Sequence, residues 1–204
     1  MSKQGELYVF EGADGVGKSE LSRRFVGKLI NSGRKCIHLS FPGKDTGTLG
    51  KLVYEIHHEP KKYGIESINP ISLQILHISA HIDTIHARIL PAIEDGYAVV
   101  LDRFWWSTLV YGLADGILRT SLDSMIKIEL SVWGDLKPAA IFLIHRDKPL
   151  CSEPKQKWQR WCEEYELLAA KQEKLHHIHF INNNSSIEEA LDEILLVSKC
   201  AQLK

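Results

Sequence analysis

Eight residues, Gly12-Ala13-Asp14-Gly15-Val16-Gly17-Lys18-Ser19, have the types and spacing of a loop built to hold a polyphosphate. Glycines at 12, 15 and 17 let the backbone curl and turn several N–H groups toward one anion, and a helix starting at the loop's end adds the positive end of its dipole. The run from Gly12 through Ala13, Asp14, Gly15, Val16 and Gly17 forms the cradle. Lys18 supplies a point charge for the outer phosphates, and Ser19 a hydroxyl for Mg²⁺. A nucleoside triphosphate is the ligand this chemistry expects.

Such a loop works only between a strand and a helix. Leu7–Glu11 is a short apolar run of strand character, and Leu21, Phe25, Leu29 and Ile30 recur at helical spacing after the loop. Further candidate strands are Lys35–Phe41, Ala98–Leu101, Ala140–His145 and Ile178–Ile181, separated by segments such as Pro70–Ile93 and Lys155–Lys174 that can hold crossover helices. The alternation predicts a three-layer α/β fold, a five-stranded parallel sheet with helices on both faces. Ligands in such sheets sit beyond the carboxyl ends of the strands.

Two more strand ends then carry chemistry. The second is Phe41-Pro42-Gly43-Lys44-Asp45-Thr46, and the third is Asp102-Arg103-Phe104-Trp105-Trp106-Ser107. Asp102 stands where a carboxylate reaches Mg²⁺, and Arg103 where a guanidinium grips a second phosphate with two parallel hydrogen bonds. The structural alternative is that Asp102 caps the next helix and Arg103 pairs with a surface carboxylate.

The chain has 204 residues, 44% of them hydrophobic and 25% charged, and no low-complexity tract or repeat. One domain spanning 1–204 is expected. Lys plus Arg is 25 and Asp plus Glu is 26, so the net charge is 25 − 26 = −1, which offers nucleic acid and anionic membranes no general attraction. Cys36, Cys151, Cys162 and Cys200 make no C-x-x-C pair and are expected to be reduced thiols. No run is long and apolar enough to span a bilayer, and Met1–Glu6 lacks a signal-peptide core, so the expected location is cytoplasmic.

The stretch Phe10–Ser19, the Phe41-Pro42 segment, Asp102-Arg103-Phe104 with Ser107, Leu136-Lys137-Pro138, and Phe180-Ile181-Asn182 followed by Ser185–Glu189 together resemble the thymidylate kinases over most of the chain. That resemblance implies transfer of the ATP γ-phosphoryl group to a nucleoside monophosphate, dTMP or another nucleotide, with Mg²⁺ as cofactor and a homodimer as the assembly. It makes Asp14 the loop carboxylate organising the acceptor end, and Lys44 and Arg103 the cations on the acceptor phosphate. Phe41, Phe104, Ser107 and Tyr111 lie with them on the acceptor side, and Asn182, with Asn183 beside it, lies near the adenine.

Some members of that family carry an arginine inside the phosphate loop, where this chain has Gly15, and others carry it in a mobile lid. Here the lid falls at about 146–160, shorter and poorer in arginine than usual, with Arg146 and Arg160 as the expected clamp. The lysines at 148, 155 and 157 read equally as a solvated basic surface. His77 and His81 occupy the places of an aromatic that stacks on thymine and an arginine that reads its carbonyl edge. An imidazole stacks and donates a hydrogen bond, but it does not reproduce a guanidinium fork. A metal pair lacks its usual companions, since Ile78 stands where a zinc-protease helix has Glu, and both histidines also suit a partly solvated helix face. Trp105, Trp106 and Tyr111 suit either pocket or packing. His57, His58, His176, His177 and His179 match no motif and read as solvated or capping residues. The resemblance leaves two other functional readings open, a nucleotide-binding module without turnover and a deoxynucleoside kinase.

Overall fold

A computed structural model describes residues 5–201; the first four residues and the last three of the expected domain, and the side chain of Cys200, lie outside it. In chain order the elements are β1 (Glu6–Glu11), α1 (Lys18–Asn31), β2 (Cys36–Ser40), α2 (Leu49–His58), α3 (Pro70–Thr84), α4 (Leu90–Glu94), β3 (Ala98–Asp102), α5 (Trp105–Ala114), α6 (Arg119–Trp133), β4 (Ala140–His145), α7 (Lys155–Gln172), β5 (Ile178–Asn182) and α8 (Ile187–Ala201). A 3₁₀ turn at Pro60–Tyr63 follows α2.

The five strands form one parallel sheet, as the alternation predicts, and their order is β2-β3-β1-β4-β5. β1 is central, so the loop after it opens where the chain's crossovers change side, the usual ligand crevice of an open parallel sheet. Both faces are covered: α1 packs with α8 as one helical layer, while α5 packs with α3, α6 and α7 as another. Strands buried on both sides need apolar residues without alternation. Tyr8, Val9, Phe10, Ala98, Val99, Val100, Leu101, Ala140, Ile141 and Phe142 are accordingly fully buried. Tyr8, Phe10 and Phe142 meet Phe25 of α1 in tilted and edge contacts that seat this helix on the sheet.

The long helix read over Pro70–Ile93 is interrupted. A π-helical turn at Ile85–Ile89 separates α3 from α4. Pro91 lacks the N–H that a continuous ladder needs at that point, which accounts for the break.

Candidate active site

The phosphate loop leaves β1 at Gly12 and enters α1 at Gly17, which caps the helix in the left-handed region at φ 95°. Gly15 is also left-handed, at φ 80°, and a Cβ built on it would meet Cys151 Sγ at 2.6 Å and Pro149 Cβ at 3.0 Å. Lys18 is buried, and its ammonium donates to the carbonyl of Ala13 at 2.7 Å. Burial, followed by the charge of Arg103, pushes the Lys18 ammonium down to about 8. Ser19 Oγ donates to Asp102 Oδ2, which joins the loop to the end of β3.

The other oxygen, Asp102 Oδ1, is buried with no hydrogen-bond partner. An unpaired carboxylate oxygen beside a hydroxyl that already touches the same carboxylate is a hard-oxygen donor set, and it fits Mg²⁺. Among the described residues no three His, Cys, Asp or Glu side chains converge as a separate metal cluster.

Arg103 follows Asp102 in the left-handed conformation, at φ 78°, the sole such non-glycine among the described residues. Its N–H donates to the carbonyl of Phe10 at 2.9 Å, and its guanidinium reaches Asp14 Oδ1 and, at 3.3 Å, Ser107 Oγ. The ring of Tyr111 lies beneath it, 5.3 Å from centroid to Cζ. Burial opposes ionisation of Asp14, but Arg103 and then Lys18 hold its carboxyl below the usual range. Loop carboxylate, loop lysine and strand-end guanidinium thus share one crevice.

Lys44 stands on the same side. Its ammonium lies 4.9 Å above the ring of Tyr54, and it lines a cavity of about 280 Å³ together with Ser19, His38, Thr48, Arg88 and Asp102. Phe41, before a cis Phe41-Pro42 bond, is buried and stacks on His81 with ring centroids 4.0 Å apart.

Several expected site residues are engaged in packing or hydrogen bonds within the fold. Phe104 is buried against Trp105 and Trp133, and Trp106 is wholly enclosed, so the aromatic run after Arg103 is packing. Ser107 is buried, with its hydroxyl on Glu11 Oε2 at 3.0 Å and on the phenol of Tyr165 at 2.8 Å. Asn182 is exposed and accepts from the N–H of Asn184 at 2.9 Å. Asn183 is the residue that reaches the loop, donating to the carbonyl of Val16 at 2.7 Å.

The base-reading positions differ from both expectations. His81 is buried rather than solvated, and its Nδ1 bonds Glu129 Oε2 at 2.9 Å. His77 Nε2 lies 3.1 Å from His57 Nδ1, which draws in a histidine that matches no motif. Burial first, with His81 and His57 behind it, pushes His77 down to about 3, so its ring is neutral at physiological pH. The charge of Arg103 acts on both His57 and His77.

The structure places the two expected clamp arginines, Arg146 and Arg160, in different settings. Arg146 donates to the carbonyl of Asn183 and so braces the β5–α8 loop. Arg160 lies exposed on α7, whose buried stripe is Trp158, Trp161, Tyr165, Leu168 and Ala169. It follows Trp158 by two residues, about 200° around the helix, and faces away from the phosphate loop. Contact with the loop is made instead by Leu150, whose N–H donates to the Gly15 carbonyl at 2.8 Å, and by Trp158, whose indole N–H donates to the Asp14 carbonyl at 2.7 Å. Lys157 lies 4.9 Å over the ring of Trp161, which meets Tyr111 edge-on.

Sequence reasoning missed Glu11, His57, Glu129 and Trp158. Glu11 alone left a readable sign, a carboxylate directly before the loop on a strand that the sheet must bury.

The family model for thymidylate kinase matches residues 10–197. Thymidylate kinase of Chlamydia caviae is 35% identical over 118 residues, which cover 57% of this chain and 55% of that protein. Thymidylate kinase of Thermoanaerobacter sp. strain X514 is 34% identical over 143 residues, 69% of this chain and 66% of that protein. The chain thus aligns with little more than half the length of the first of these relatives. In three dimensions it resembles the crystal structure of thymidylate kinase from Ehrlichia chaffeensis, with a TM-score of 0.77, 21% identity, and coverage of 95% of this chain and 98% of that one. At that identity the structural likeness speaks for the fold, and the match over residues 10–197 speaks for descent: this chain belongs to the thymidylate kinase family.

Proposed function

We propose that the protein transfers the γ-phosphoryl group of ATP to a nucleoside monophosphate, with dTMP as the leading acceptor. The observation that carries the reading is the Asp14–Arg103 ion pair, which sets a guanidinium across the phosphate loop from Lys18. Gly12 to Ser19 would hold the triphosphate of ATP, and Lys18 would neutralise its outer phosphates. Ser19 and Asp102 would hold Mg²⁺, which when bound neutralises phosphate charge. Arg103 and Lys44 would grip the acceptor phosphate and align its oxygen with the γ-phosphorus. Catalysis would then be positioning and charge neutralisation, and Asp14 keeps Arg103 in place until the acceptor arrives.

Two cations on the acceptor side favour a phosphate acceptor over the bare hydroxyl of a deoxynucleoside. The test is direct: purified protein with ATP, Mg²⁺ and a panel of deoxy- and ribonucleoside monophosphates should yield diphosphate. If ATP binds and no monophosphate in the panel is phosphorylated, the non-turnover reading replaces this one.

A homodimer belongs to the same proposal. Ile71 and Ile75 are exposed on α3, as Ile128 is on α6, and would be covered by a second copy. Light scattering of the purified protein tests it. No helix among the described residues is long and apolar enough to cross a membrane. The cytoplasm is the proposed location, one in which Cys36, Cys151 and Cys162 would stay free thiols.

A further inference from the structure

Glu11 is fully buried at the end of β1, in a place where an ionisable group is expensive unless it does something. Its Oε1 accepts the N–H of Phe104 at 2.7 Å and of Ser107 at 3.1 Å, and its Oε2 accepts the hydroxyl of Ser107 at 3.0 Å. These are groups of the first turn of α5, whose own N-cap residue, Phe104, offers no side-chain cap. Glu11 therefore caps α5 from a neighbouring strand, satisfying the N–H of Phe104 and sharing that of Ser107 with the Phe104 carbonyl. The cap lies one residue beyond Arg103, which holds a left-handed φ of 78°, a conformation costly for a side chain of this size. Ser107 carries the connection further, accepting from Arg103 Nη1 at 3.3 Å and meeting the Tyr165 phenol of α7 at 2.8 Å.

We propose that Glu11 is the positioning residue for Arg103: by capping α5 it fixes the left-handed turn that delivers the guanidinium to the acceptor side, and through Ser107 and Tyr165 it couples that guanidinium to the lid helix. The identity of the acceptor rests on the kinase reading above, whereas the setting of Arg103 does not.

The charge of Glu11 faces Lys18 at the start of α1, Arg103 before α5, Tyr111 on α5 and Tyr165 on α7. Burial pushes its carboxyl up to about 7, against the pull of Arg103 and then Lys18. Ionised, it attracts Arg103 and accepts from both N–H groups. Protonated, it loses that attraction and one acceptor site. Arg103 should feel this change, and a role confined to packing would not transmit it.

The experiment compares the whole protein with Glu11→Gln, Glu11→Ala and Tyr165→Phe. Calorimetry reads dTMP and ATP affinity, and the Arg103 Nε–H resonance in ¹⁵N spectra, assigned with Arg103→Lys, reads the guanidinium with no nucleotide present. In Glu11→Ala, dTMP affinity should fall about tenfold or more, while ATP affinity changes by less than about threefold. In the unaltered protein the Arg103 resonance should show a step with a midpoint near the Glu11 value of about 7, and in Glu11→Gln that step should vanish, leaving only the response to Lys18 near about 8. Tyr165→Phe should move the same resonance by a smaller amount. Equal loss of dTMP and ATP binding, or an Arg103 resonance that ignores all three substitutions, overturns the proposal. If Glu11→Ala fails to fold, the loss of the step near about 7 in Glu11→Gln decides. If the unaltered protein neither binds nor phosphorylates any monophosphate, the kinase reading falls, and the Arg103 resonance still decides the positioning role.

Discussion

The indole of Trp158 on α7 donates its N–H to the main-chain carbonyl of Asp14, 2.7 Å away, so the lid helix is fastened to the phosphate loop at the residue that also pairs with Arg103. The contact is partly buried, so leaving the Asp14 carbonyl unpaired has a real cost. Trp158→Phe keeps most of the ring and removes the donor. Thermal unfolding should reveal a loss of about 1 kcal/mol, and ATP affinity should weaken by severalfold. Unchanged unfolding and unchanged ATP affinity together would show that the lid is held by other contacts.

Lys18 gives a pH dependence with a defined sign. Its folded value, about 8, lies below the ordinary 10.5, so between these values the unfolded chain binds more protons and stability rises with pH. ATP binding should behave in the opposite way, because the proposed role of Lys18 needs its ammonium charged. Above pH 8 the Kd for ATP should rise by about tenfold per pH unit, and Lys18→Ala should bind weakly at every pH. Calorimetry with Mg·ATP across that range is the measurement.

Arg103→Ala should chiefly affect the acceptor. In the proposed role, losing the charge-assisted hydrogen bonds of its guanidinium to the acceptor phosphate should raise the monophosphate KM by about tenfold to a hundredfold, with the KM for ATP nearly unchanged. Steady-state kinetics with each substrate varied in turn separates the two.

His77 is neutral in the folded protein, and its value of about 3 lies below the ordinary 6.5. The unfolded chain takes up this proton first, so the contribution of His77 to stability is present above about 6.5 and is lost as pH falls toward 3. His77→Phe should therefore unfold less readily in acid than the unaltered protein, with a difference that vanishes near neutrality. The same substitution should change the ranking of acceptor bases while leaving ATP affinity alone. Urea titrations at acid and neutral pH, with a monophosphate panel, test both statements.

Much of this was readable in the residues. The loop from Gly12 to Ser19 is local chemistry, and its setting between Leu7–Glu11 and the Leu21–Phe25–Leu29 stripe follows from periodicity. Asp102 and Arg103 were legible because parallel strands end on one edge of the sheet, so their neighbours in space are fixed by topology. The lid was less legible. Whether Arg160 or Lys157 faces the loop depends on which side of α7 is buried, and Trp158, Trp161 and Tyr165 settle that through contacts with residues far away in sequence. Glu129 and His57 were out of reach for the same reason: their partners, His81 and His77, lie on α3, and no spacing along the chain joins them.

The close fit of Pro149, Leu150 and Cys151 over Gly15 has a consequence for engineering. A side chain at that position and a seated cover compete for the same volume, so grafting an arginine there would prise the strap off instead of adding a useful charge. In this chain an arginine at position 15 and a seated strap are mutually exclusive, and a vacant alpha carbon is what lets the segment rest where it does.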